Sequence, residues 1–258
     1  MSETIGAMFG ALGYQGVSNQ IMGLECEVES VRCIRDLGLQ PGWTMTDDGS
    51  LRNEGKEFLS GPRPLPDLVS GFKRLHAVLL PHEQYPKFSD RTSIHVHANC
   101  QNLTADQVEN VIKMYALYEE FFFTMCSPDR RHNIHCVPLT ETYLPAVYRT
   151  GLMGMLDRWH KYTALNIKRL TDLGTIEFRH MEGHDDPEKL TNWLKTIENL
   201  ITLGKSEAGK INKTTLTNGN LELWFSTIFG HTPEYVKYRP MLRDMTTNQR
   251  IDLKLAVM

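Results

Sequence analysis

The sequence predicts an α+β fold built on a mainly antiparallel sheet. Three observations lead there. Segments with alternating side-chain character recur at 23–29, 43–46, 55–62, 92–98 and 174–180, the two-residue period of strands. Segments with apolar residues at helical spacing lie at 68–80, 104–125 and 187–204. Strands come first, then a long helix, then strands again, rather than in the strict strand–helix alternation of a parallel sheet.

The first strand is Gly23-Leu24-Glu25-Cys26-Glu27-Val28-Glu29, with Glu25, Glu27 and Glu29 on one face. Carboxylates side by side repel, and a fold keeps them there when water, a cation or a basic partner compensates. Glu29 reads as a solvated or helix-start charge. Val31 to Leu37, closed by Gly38, has helix-then-stop character. Trp43 to Thr46 alternates as a strand, Asp47-Asp48-Gly49-Ser50 supplies a turn, and Gly55 to Pro62 returns as a second strand. Leu68, Phe72, Leu75, Val78 and Leu79 share a helix face that Pro81 ends.

Thr92 to Ala98 is a strand with His95 and His97 on one face and Ile94 and Val96 on the other. Thr104-x-x-Gln107 is a capping box, opening a long helix toward Met125 whose buried stripe is Val108, Val111, Ile112, Tyr115, Tyr118 and Phe122. Phe121-Phe122-Phe123 reads as core. Residues 127–138 form a loop with Arg130, Arg131, His132 and Asn133, and Tyr162 to Ile167 is strand-like. In Gly174 to His180, Glu177 and Arg179 share a face. His180 and the following His184 read as surface or loop residues. Asp186-Pro187-Glu188 starts a helix that Gly204 ends. The tail beyond it is helical in pieces, with a polar loop near 205–213. The domain expectation is a lead-in at 1–20, a main domain at 21–204 and a helical extension at 205–258.

Composition sets the outer bounds. The chain has 258 residues, 41% hydrophobic and 23% charged, with a net charge of −3. That suits a soluble globular protein with a substantial core and carries no basic footprint for nucleic acid. Five cysteines without a C-x-x-C pair argue for a reducing compartment. No signal peptide and no membrane span are expected, which points to the cytoplasm.

The polar strand faces gather Glu25, Glu27, Glu57, His95, Glu177 and Arg179. If they meet on one sheet, four carboxylates and an imidazole surround a cavity able to hold a divalent cation. Oxygen-rich ligands favour magnesium or manganese over zinc. Asp48 reads as a turn residue, with substrate binding as the alternative, and His97 as a metal ligand, a group that orients His95, or neither. No P-loop is present: Gly204-Lys205-Ser206 lacks the upstream glycine.

In this order the motifs resemble the amidoligases of the carboxylate–amine ligase superfamily, relatives of glutamine synthetase and glutamate–cysteine ligase. The matching residues are G-L-E-C-E at 23–27, D-G-S at 48–50, E-F-L-S-G-P at 57–62, I-H-V-H at 94–97, R-R-H-N at 130–133, Y-x-x-x-N at 162–166 and G-T-I-E-F-R at 174–179. The resemblance implies a glutamine synthetase-like catalytic domain, its curved antiparallel sheet forming a funnel for ATP and Mg2+ or Mn2+. It implies that ATP phosphorylates a carboxylate and an amine displaces the phosphate. Glu27 and Glu57 would hold one ion, and Glu25, His95 and Glu177 the other. Arg179 would face the transferred phosphoryl group. Arg131 and Asn133, together with Arg130, would contact phosphate or the acyl intermediate, and Tyr162 and Asn166 would lie nearby. Glutamine synthetases offer two acidic residues where only Glu57 matches, so Glu54 or water would complete that ion's shell. Expected partners are small-molecule or peptide carboxylates and amines, and a homo-oligomer is compatible with the family. A metal-dependent hydrolase using H-x-H, or a non-catalytic binding module on the same fold, is the alternative.

Overall fold

The computed structural model describes residues 3–10, 21–31, 39, 41–80, 87–142, 144–217 and 220–257. The helix expected over Val31 to Leu37, apart from Val31, falls outside them. So do Gly38, Pro81 and residues 11–20 of the lead-in.

In chain order the principal elements are α1 (Ile5–Phe9), β1 (Ile21–Val28), β2 (Trp43–Asp47), β3 (Lys56–Ser60), β4 (Arg63–Pro64), α2 (Leu65–Leu79), β5 (Ser93–Asn99), α3 (Ala105–Thr124), α4 (Gly151–Arg158), β6 (Leu165–Asn166), β7 (Thr175–Glu182) and α5 (Pro187–Gly204). Five shorter helices follow: α6 (Lys213–Thr217), α7 (Leu221–Phe229), α8 (Pro233–Tyr238), α9 (Leu242–Met245) and α10 (Thr247–Ala256). The strands form one antiparallel seven-stranded sheet in the order β2-β3-β1-β5-β7-β6, with β4 paired to β1. The α+β expectation is met.

Local chemistry explains the helix boundaries. The Thr104 hydroxyl accepts from the Gln107 N–H at 3.3 Å, and the Gln107 side chain accepts from the Thr104 N–H at 3.0 Å, so α3 opens on the capping box. At α5, Asp186 accepts from the N–H groups of Glu188 and Lys189, with Pro187 at the first position. The apolar sheet face (Leu24, Cys26, Phe58, Ile94, Val96, Phe178) packs under α2, α3 and α5 in one core. Phe122 stacks on Phe178 and meets Trp193 edge-on. From the tail, Phe225 and Phe229 join Tyr118 and Phe121 in the same core. Among the described residues, no helix is long and apolar enough to cross a membrane.

Several expectations are corrected. His180 is no surface residue: it is fully buried, packed by Tyr115, Phe122, Phe123 and Trp193, and its Nε2 lies 2.7 Å from the Tyr115 hydroxyl. Glu29 is not solvated. Buried beyond the end of β1, it accepts the Arg52 N–H at 2.8 Å and thereby ties β1 to the β2–β3 turn. The strand expected over Tyr162 to Ile167 shrinks to Leu165–Asn166, and the loop at 127–138 contains a 3₁₀ turn at Pro128–His132. α1 and α4 had no counterpart in the sequence reading.

One irregularity shapes the site. Between Ile94 and Val96 the β5–β7 register shifts: Ile94 faces Met181, but Val96 faces Phe178. Two residues of β7, Arg179 and His180, therefore oppose His95 alone, which is a β-bulge. It leaves Arg179 on the polar face while His180 and Met181 both turn into the core.

Candidate active site: a carboxylate cradle on the polar sheet face

Strand pairing brings the polar face together. Glu27 lies opposite Glu57, Glu25 opposite His95, and Glu177 opposite both His97 and Asn166. Four adjacent strands, β3, β1, β5 and β7, thus contribute to one cavity of about 290 Å³, with Glu25, Glu27, Glu57, His95 and Glu177 at its floor and Arg179, Arg169, Arg91, Asn133 and Tyr162 in its walls.

Two sets of side chains are close enough to hold an ion. Glu25, His95 and Glu177 form one and Glu27, Glu57 and His95 the other, each with ligand atoms within 4.8 Å of one another. His95 Nδ1 lies 3.0 Å from Glu25 Oε2 and 3.5 Å from Glu177 Oε1. His97 bonds the other Glu25 oxygen at 3.0 Å, and its Nδ1 meets the Thr175 hydroxyl at 3.0 Å. His97 therefore steadies Glu25, not His95. Ser93 donates to Glu27 Oε2 from both its N–H (2.7 Å) and its hydroxyl (2.6 Å). Asn166 donates to Glu177 Oε2 at 2.7 Å, and Arg179 pairs with the same carboxylate.

The electrostatics suit a cation. Burial alone would raise the Glu25 pKa, but hydrogen bonds from His95 and His97 outweigh it and hold the carboxyl well below its ordinary range. Glu177 is likewise pushed up by burial and brought below normal by His95 and Arg179. Glu57 goes the other way: burial first, then the charges of Glu25 and Glu27, raise it from 4.5 to about 6. A carboxyl resisting ionisation beside two carboxylates marks excess negative charge that a divalent ion would relieve. Hard oxygen donors with one imidazole fit magnesium or manganese. Protons then compete with the ion at Glu57: below about pH 6 this group protonates. Mn2+ affinity, read by calorimetry, should therefore fall between pH 7 and 5 in the wild type and fall less steeply in Glu57→Gln.

The predicted arginines separate. Arg179 stays at the cavity, its Nε donating to the His135 carbonyl at 3.1 Å. Arg130 touches the cavity wall but is nearly buried, at 4% exposure, and donates to the carbonyls of His180 (2.7 Å) and Arg179 (2.6 Å). These are the bulge residues, so Arg130 satisfies backbone acceptors at the irregular step of β7. Arg131 lies off the cavity, paired with Glu120 at 3.0 Å and with Glu141. Asn133 faces the cavity while bonding the Asp90 carbonyl at 3.1 Å. Tyr162 packs edge-on against His135. Asp48 accepts the Ser50 N–H at 2.8 Å as a turn residue should, and also lines the cavity. Glu54 is exposed in the β2–β3 turn and belongs to neither ion-holding set.

Ser93, Arg91, Arg169 and His135 escaped the sequence reading. Ser93 lies two residues before His95 on the same strand face, and alternation alone would have found it. Arg169 approaches Glu177 at 3.9 Å from outside any strand, where no periodicity points.

Fold and cavity together define an α+β protein with a cradle of carboxylates on an antiparallel sheet. The family model described as "Putative amidoligase enzyme" matches residues 82–201, a little under half of the chain. Over that segment the chain is similar to the amidoligase family. The match takes in His95, Arg130, Arg131, Asn133, Glu177 and Arg179, while Glu25, Glu27 and Glu57 precede it. No curated protein matches the chain.

Proposed function

We propose that the protein is an ATP-dependent carboxylate–amine ligase on a glutamine synthetase-like fold, joining a carboxylate to an amine through an acyl phosphate. The single observation behind this reading is the pair of ion-holding sets that share His95 and face Arg179 in one cavity.

The cavity answers the central difficulty of the reaction, which is that the phosphate donor and the attacking carboxylate are both anions. Bound magnesium would neutralise phosphate oxygens and align donor with acceptor. The protein's own residues do the rest. Glu25, Glu27, Glu57, His95 and Glu177 would hold the ions in fixed positions. Arg179, oriented by Glu177 and the His135 carbonyl, presents a guanidinium where charge develops in transfer. Arg169, Arg91 and Asn133 line the approach and suit an anionic substrate. The substrate carboxylate is itself the nucleophile, so the site needs no activated Ser or Cys. Cys26 agrees: it faces the core, and burial pushes its thiol far above the ordinary range.

The test is phosphate release from ATP with Mg2+ and pools of amino-acid, peptide and polyamine substrates. At least one pool should stimulate release in the wild type and none in Glu25→Ala. Release that no pool stimulates in the wild type would remove the ligase reading.

A further inference from the structure

The geometry points to Ser93 as a positioning residue that sets the His95 tautomer and so assigns the shared imidazole to the Glu25–Glu177 ion alone. This rests on the cation-binding reading above.

The argument is a proton count. A serine hydroxyl has one proton. The Ser93 hydroxyl lies 2.6 Å from Glu27 Oε2, an oxygen–oxygen approach that needs a proton between them, and that oxygen already accepts the Ser93 N–H at 2.7 Å. Ser93 therefore spends its proton on Glu27. Its lone pairs are left to face His95 Nε2 at 2.8 Å, so that nitrogen must carry the hydrogen. The opposite nitrogen, Nδ1, faces only carboxylate oxygens, Glu25 Oε2 and Glu177 Oε1, so it is the nitrogen at which an ion would take the place of the hydrogen now shared with Glu25, while Ser93 holds the one on Nε2.

The same residue divides the other set. Glu27 Oε2 takes both Ser93 donors, leaving Oε1 for an ion shared with Glu57. Proximity alone counts His95 in both sets, but hydrogen bonding gives it to one. The two positions become unequal: a three-ligand site of Glu25, His95 and Glu177, and a two-carboxylate site of Glu27 and Glu57 that relies on water or substrate oxygens. Ser93 is 4% exposed, so water is poorly placed to replace its hydroxyl. Partners that orient a ligating histidine commonly govern metal affinity in this way.

Two measurements on the full chain decide it. Mn2+ titration should resolve a tight and a weak site in the wild type. In Ser93→Ala the tight site should weaken by about 10–100-fold, and Ser93→Thr, which restores the hydroxyl, should recover most of that loss. Thermal unfolding of each variant identifies any general loss of fold. Proton–nitrogen spectra of the imidazoles should show a slowly exchanging His95 Nε2–H in the wild type, with or without Mg2+, that disappears in Ser93→Ala. Tight-site affinity unchanged in a folded Ser93→Ala, or an unprotonated Nε2 in the Mg2+-loaded wild type, overturns the assignment. If the wild type binds no Mn2+ while the protected Nε2–H persists and depends on Ser93, the cation reading fails and the orientation of His95 by Ser93 stands.

Discussion

Glu177→Ala should abolish substrate-stimulated phosphate release, a fall of at least about 10³-fold, because one carboxylate has three tasks. It supplies an oxygen to the Glu25–His95 set, it pairs with Arg179, and it accepts from Asn166. Glu177 is only 2% exposed, so truncation strands the Asn166 amide and leaves Arg179 with the His135 carbonyl alone in place of its carboxylate. Breaking a buried pair by removing one partner costs about 3–5 kcal/mol, and the variant should melt well below the wild type. Glu177→Gln separates the effects. It keeps the side-chain shape and one acceptor oxygen, so its melting temperature should recover much of the loss while activity and Mn2+ binding stay low. An active Glu177→Gln would mean that the charge at this position is not used.

The second large effect lies on the other side of the sheet. Glu119, in the middle of α3, is completely buried. It accepts from the N–H groups of Leu139 (2.7 Å) and Thr140 (3.1 Å) and from the Tyr115 hydroxyl (2.9 Å). It thereby anchors the segment after the arginine-bearing loop to the helix beneath β7. Glu119→Ala leaves two backbone donors unpaired at about 1–3 kcal/mol each, so a loss of several kcal/mol is expected in urea unfolding.

Acidity gives a finer test. Burial outweighs these hydrogen bonds and raises Glu119 from 4.5 to about 7. The folded state therefore holds a proton that the unfolded chain releases between those values. This group's contribution to stability should be greatest below about pH 4.5, decline as pH rises to 7, and level off above, by on the order of 3 kcal/mol in all. Other groups titrate in the same window, so the informative quantity is the difference between wild type and Glu119→Gln, which has no ionisable group there. Parallel stability curves for the two proteins would refute the assignment.

Much of this architecture follows from simple periodicities. The two-residue repeat is enough to place Glu25 with Glu27 and Glu177 with Arg179, because a half-buried strand admits only one register. Capping chemistry places the starts of α3 and α5, since Thr104 and Asp186 satisfy donors that would otherwise be orphaned. Other features depend on tertiary contacts that no local pattern encodes. Arg130 and Arg131 are neighbours with opposite fates: one reaches backbone carbonyls at a bulge, the other two surface carboxylates. Glu29 continues the carboxylate repeat of β1 yet ends buried, because the Arg52 N–H supplies what solvent would have. α4 has no side-chain hydrogen bond at its N-cap and begins at Gly151 with a positive φ of 71°, so neither start signal was present. His180 is buried as strand alternation counted from Phe178 requires, against the expectation of a surface or loop residue.

The bulge in β7 also bears on which changes of length the chain can absorb. Removing one bulge residue after Arg179 would straighten the strand with Met181 still opposite Ile94 in the interior, and the cost would be the buried His180 ring. One residue added between Met181 and Glu182 would instead turn Glu182, which receives Lys189 and the Ser127 N–H, into hydrocarbon. The tip between β2 and β3, where Arg52, Asn53 and Glu54 are exposed, faces no such parity. Insertions should therefore be excluded from the five peptide links joining Glu177 to Glu182 and be absorbed more readily at Asn53 and Glu54, beyond the Arg52 N–H that Glu29 holds.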